Sequence, residues 1–202
     1  TALVLLAVLG LGWNFMGGHR EPVYQGKTAK EWFAQLYAAR VSGAGLDEEA
    51  QSKAVHALRT LGPNAVSYLV RVAFLPPKES AFQKFFASVW RRFHPKDAPF
   101  LSPEGARMES VHALSRIKPP AQVLLPLLDK ALNGADAVSR RQALILLGCA
   151  GDGAEQGVPY LTAALKAKEP SESELAVQSL RNLGPRAKPA LPAMIEALAT
   201  SP

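Results

Sequence analysis

The sequence predicts an all-α chain: an α-solenoid of about four helical hairpins preceded by a single N-terminal transmembrane helix. Three observations lead there. Alanine and leucine dominate while β-branched runs are scarce, which favours helix. The first 18 residues carry no charge. One short motif then returns along the rest of the chain. Apolar content is 48% and charged content 20%, as in folded proteins, and 202 residues suffice for a sizeable core. The formal net charge of +6 suits an anionic membrane surface, an acidic partner or a nucleic acid. A single cysteine, Cys149, excludes a disulfide within the chain.

The run TALVLLAVLGLGWNFMGG, residues 1–18, reads as a retained membrane anchor. An 18-residue helix spans about 27 Å, close to the hydrocarbon thickness of a bilayer. Trp13 suits the interface, with His19 and Arg20 among the headgroups. The run is apolar all round rather than striped, which speaks against a soluble surface helix. It lacks a persuasive A-x-A site before Glu21 and a cysteine after it, which speaks against a cleaved signal peptide and a lipoprotein anchor. Short-tailed N-terminal anchors usually place the following domain outside, so a bacterial periplasmic location is expected. Residues 19–46 then read as a linker and a capping helix.

The segment 47–202 repeats itself. HALRTLGP (56–63), HALSRIKP (112–119), LLGCAGD (146–152) and SLRNLGP (179–185) align with registers at Gly62, Lys118, Gly151 and Gly184. The last two intervals are each 33 residues; the first is 56. Pro126, Pro159 and Pro192 each stand 8 residues past a register. Each unit reads as two helices. The first carries small and aliphatic residues at helical spacing, as in Ala54, Leu58 and Leu61, or Ala176, Leu180 and Leu183. Gly62, Gly151 and Gly184 stand where helix C-caps belong, and Pro63, Pro119 and Pro185 announce the second helix. That helix has its own apolar stripe, for example Leu191, Met194, Ile195 and Leu198. The hairpins fall at 47–75, 103–133, 136–166 and 171–199, with SESE (171–174) as an N-cap followed by acids. The three prolines belong near the start of each second helix, where a missing N–H does least harm. No hairpin can bury its apolar face alone, so neighbours must stack.

The A-L-x-x-L-G-P-x-A pattern, clearest in SLRNLGPRAKPALPAMIEAL, resembles the HEAT-repeat family in its short bacterial form. The resemblance covers roughly residues 47–199 and implies scaffolding or docking. EPVYQGKTAKEWFAQL (21–36) is similar to the segment joining an anchor to the repeats in membrane-anchored HEAT proteins of some bacteria, where a short helix caps the array. Thr28 is the expected N-cap of that helix, with Glu31 at the capping-box position.

The long first interval is one period of 33 plus 23 further residues lying between Phe74 and Leu101, with an inserted amphipathic helix at 76–99 fenced by Pro76, Pro77, Pro95 and Pro99. Within it, SAFQKFFASVWRRF (80–93) places Phe82, Phe85, Phe86, Val89, Trp90 and Phe93 on one helical face. Lys84, Arg91 and Arg92 lie off that face. Four readings stand: extra core, protein docking, a membrane-surface helix, or nucleic-acid stacking, which a periplasmic domain disfavours. The expectation is that part of the face contacts something outside its own repeat. The candidate binding residues are Phe82, Phe85, Phe86, Trp90, Arg91, Arg92 and Phe93.

Catalytic signatures are missing from the sequence. None of His19, His56, His94 and His112 precedes a glutamate, unlike the His-Glu pairs of HEAT-fold iron hydroxylases. His56 and His112 share a repeat position and could approach each other, but lack further metal ligands. Cys149 reads as a packed residue inside a helix rather than a nucleophile. G-x-S-x-G, P-loop and dinucleotide motifs are missing too. The expected function is therefore a non-catalytic scaffold or docking subunit of a membrane complex, touching other subunits and the bilayer, with no cofactor, metal or nucleic acid. The alternatives are a HEAT-repeat enzyme or chromophore- or cofactor-processing factor, and a basic HEAT module binding nucleic acid.

Overall fold

The computed structural model describes residues 21–41, 47–75, 102–167 and 169–200. The apolar run 1–18 and the segment 80–93 lie outside them. The described chain is all-helical, and its one β feature is an isolated bridge between Tyr24 and Lys27. Among the described residues no helix is long and apolar enough to cross a membrane.

Helix α1 (Ala29–Val41) starts at the expected capping box. The Thr28 and Glu31 backbone N–H groups bond each other's side chains, at 2.8 Å to Glu31 Oε2 and 3.4 Å to Thr28 Oγ1. Trp32, Phe33 and Leu36, at helical spacing, are buried against α2 (Glu48–Thr60). The two helices run antiparallel. Ala39 O accepts from Asp47 N at 3.2 Å at one end, and Tyr24 meets His56 at 6.1 Å at the other.

Four hairpins follow: α2 with α3 (Pro63–Phe74), α4 (Pro103–Ile117) with α5 (Ala121–Leu132), α6 (Ala137–Leu147) with α7 (Val158–Leu165), and α8 (Pro170–Leu183) with α9 (Leu191–Thr200). Asp47, Ser102 and Asp136 cap α2, α4 and α6 through their side chains. The first helices α2, α4, α6 and α8 touch in that order, and α3, α5 and α7 each pack on the first helix of the next hairpin. This geometry buries Leu58, Leu69, Leu114, Leu124, Leu144, Leu161 and Leu180 almost fully. Each contributes roughly 1.5–3 kcal/mol by leaving water.

The turns between first and second helices line one edge. Gly62 (φ 59°, ψ −133°) and Gly184 (φ 59°, ψ −129°) share a conformation open essentially to glycine alone, and each precedes a proline that starts the next helical segment. Lys118 occupies the same register with φ 52°. Gly151 departs from the expected cap. Helix α6 stops earlier, at Leu147, with Gly148 following. Gly151 instead lets two turns meet: a Cβ there would stand 2.3 Å from the Lys118 carbonyl oxygen. Gly148 has a similar task, since its Cβ would lie 3.0 Å from Ser179 Cα on α8.

Three further expectations are corrected. Cys149 lies in the turn after α6, not inside a helix. Helix α8 begins at Pro170 behind Glu169, ahead of the SESE segment, because proline is well placed at N1. Pro159 and Pro192 do open α7 and α9, behind the 3-10 segments Ala154–Gly157 and Gly184–Ala190. Helix α5 has no such lead-in and starts directly after Pro120, so Pro126 falls inside it.

Candidate interaction surface

The seven residues chosen from sequence, Phe82, Phe85, Phe86, Trp90, Arg91, Arg92 and Phe93, lie outside the described residues. The structure does place the roots of their insertion. Leu75, 75% exposed, ends α3, and Ser102 begins α4. Both belong to the edge where first helices begin.

The two edges of the stack differ in charge. Asp47, Glu48, Glu49, Glu104, Asp136, Glu169 and Glu172 gather where first helices start. Arg59, Lys118, Arg181, Arg186 and Lys188 gather where they end. Acids near helix N-termini and cations near C-termini both complement the macrodipole. The second helices end at the acid-bearing edge and bring Arg71, Lys130 and Lys166 to it, so that edge carries both signs while the turn edge is mainly basic.

The basic edge is tied together turn by turn. Arg59 Nη2 donates to Arg116 O at 2.9 Å. Gly151 N donates to Pro119 O and Ala121 N to Asp152 O, each at 2.8 Å. Arg186 Nη1 donates to Gly151 O at 2.8 Å. The chain also joins the array here. Residues 24–27 form a tight turn with Gln25 and Gly26 at positive φ, and it lies over α1 and the last turns of α2. Trp32 Nε1 donates to Tyr24 O at 3.0 Å, and Lys27 Nζ stands 4.6 Å above the Trp32 ring.

Two buried carboxylates escaped the sequence reading. Glu172, 4% exposed, takes Arg140 Nε at 2.9 Å and Nη2 at 2.7 Å, while Arg140 Nη1 donates to Gly134 O at 2.8 Å. The pair fastens α6 to α8, and the contact to Glu172 raises the Arg140 guanidinium pKa further. Glu109, also 4% exposed, accepts from Arg40 Nη1 at 2.9 Å and fastens α1 to α4. Burial first, then the Glu109 charge, raise the pKa of the nearby Tyr37 hydroxyl. A signal for Glu109 was present: it sits between Ala106 and Ala113 on the buried stripe of α4. These ties join helices distant in sequence.

His56 and His112 are both exposed, with His56 beside Tyr24. No group of His, Cys, Asp and Glu among the described residues could hold a metal ion. A groove of about 460 Å³ beside α7 is lined by Val158, Pro159, Thr162, Ala163 and Pro189, with Glu155 and Lys166 at its rim, and has mainly aliphatic walls. Cys149 is buried, and desolvation pushes its thiol up to about 11. Only the thiolate is nucleophilic. Iodoacetamide at neutral pH should therefore modify the folded protein at least ten-fold more slowly than the urea-unfolded chain. Equal rates in mass-spectrometric time courses would contradict this burial.

Comparison with protein-family models, with curated proteins and with solved structures finds no match for this chain.

Proposed function

We propose that this chain is a non-catalytic, membrane-anchored docking subunit: an α-solenoid of the HEAT type, held to the bilayer through residues 1–18, with its array in the periplasm. It binds other subunits of a membrane complex through the stacked surface and the aromatic-basic segment 80–93. The observation that carries the reading is the mounting of that segment. The chain joins the array at the basic edge, whereas the insertion leaves and returns at the opposite edge, between Leu75 and Ser102. First helices of 13–15 residues separate those edges by about 20 Å. With the chain entering the described array at one edge and the insertion rooted at the other, a protein partner is favoured over the headgroup layer. Aromatic and arginine side chains are the usual anchors of such contacts.

The test is Phe86→Ala with Trp90→Ala, read by thermal unfolding and by co-purification from solubilised membranes. Loss of the co-purifying subunits with an unchanged melting temperature is the expected result. A collapsed melting temperature returns the segment to the core, and unchanged association removes it from the interface.

A further inference from the structure

We infer that the turn edge of the array is a lipid-facing surface that lies on an anionic bilayer. The inference rests on the proposed anchoring and adds to it the face presented to the membrane. Two independent features of the described residues meet at this edge. One is the joining of the chain: the Tyr24–Lys27 turn lies against α1 and the end of α2, so the chain enters the described array on this side. The other is charge. Arg59, Lys118, Arg181, Arg186 and Lys188 are all exposed along it. The acids there are Asp152, which lies 3.8 Å from Arg186, and Glu155. The joining segment adds one charge of each sign, Glu21 and Lys27.

The cations come from the first, second and fourth turns; the third, which carries Asp152 and Glu155, is hydrogen-bonded to the second and the fourth, so they form a fixed row interrupted at the third turn. Such a row suits a plane of phosphates better than a pocket-sized anion, because the charges lie along exposed turns. Arg59 and Arg186 each spend part of their donor set on neighbouring carbonyls, yet both guanidinium groups remain exposed. The opposite edge carries both signs, its acidic first turns standing beside Arg71, Lys130 and Lys166, so the same surface holds it less. Attraction concentrated on one side orients the array as well as holds it. Tethering raises the local concentration of lipid, so weak attraction suffices. Salt should weaken it within a Debye length of the surface.

The experiment reconstitutes the full chain, with Cys149→Ala, into phosphatidylcholine vesicles with or without phosphatidylglycerol. A headgroup-attached quencher reports on a dye placed at Asn182→Cys on the basic edge or at Glu104→Cys on the opposite one. Circular dichroism melts establish that each variant is folded. Several-fold stronger quenching at position 182 than at 104 is expected in the anionic vesicles. High salt, or Lys118→Glu with Arg181→Glu and Lys188→Glu, should abolish the difference. Equal quenching at both edges of a chain that resists carbonate extraction overturns the inference and leaves the anchor standing. Asymmetric quenching of a chain that carbonate removes does the reverse. A difference that survives both salt and the charge reversals also overturns the inference, because the tether alone then sets the orientation.

Discussion

Replacing Trp32 by alanine lowers stability by about 3–5 kcal/mol, the usual cost of deleting a large buried aromatic. Trp32 is 1% exposed and belongs to the core shared by α1 and α2. Its loss acts three times over. It opens a cavity between those helices. It leaves Tyr24 O without its 3.0 Å donor. It also removes the ring beneath Lys27. The 24–27 turn then has little to lie on, and α2 loses part of the cover on its outer side. Trp32→Phe keeps most of the volume but not the N–H, so it should recover the packing share and leave the hydrogen-bond share, about 1 kcal/mol, missing. Urea unfolding of the three proteins checks this. Equal midpoints for wild type and Trp32→Ala would mean that α1 is an ornament and not part of the core.

Gly151→Ala is expected to cost about 3 kcal/mol, at the upper end for overpacking, because backbone meets backbone there. The new methyl would overlap the Lys118 carbonyl oxygen, which a side-chain rotation cannot move away. Relief requires separating the turns, and that breaks Gly151 N to Pro119 O and Ala121 N to Asp152 O together. Gly184→Ala is the informative comparison. Nothing lies within 4 Å of its added Cβ, so its smaller cost comes from φ alone. A chemical-denaturation series in which Gly151→Ala is the milder of the two would contradict the close approach described here.

These two glycines also mark what could be read from the letters. Position 184 was legible because a C-capping glycine before proline is a local signal, as was the Thr28–Glu31 capping box. Position 151 has the same register, but its glycine answers to a neighbouring unit, and no local pattern encodes which atom will stand 2.3 Å away. The Arg40–Glu109 and Arg140–Glu172 ties were hidden for the same reason, joining positions 69 and 32 residues apart. Pro126 misled because equal spacing from a register does not guarantee equal helix starts. The aromatic stripe at 82–93 was the clearest functional signal in the sequence, and it falls outside the described residues, whereas the basic turn edge emerges only once the first helices are set side by side.

The hydrogen bonds that join successive turns also determine how the array comes apart. They connect units in series: α2 to α4 through Arg59, α4 to α6 through Gly151, and α6 to α8 through Arg186. In such a line, cooperativity is a property of each junction rather than of one shared core. The weakest junction sets where a melting front stalls, so a lesion at the Gly151 turn would divide one transition into two, with residues up to about 133 in one block and those beyond it in the other.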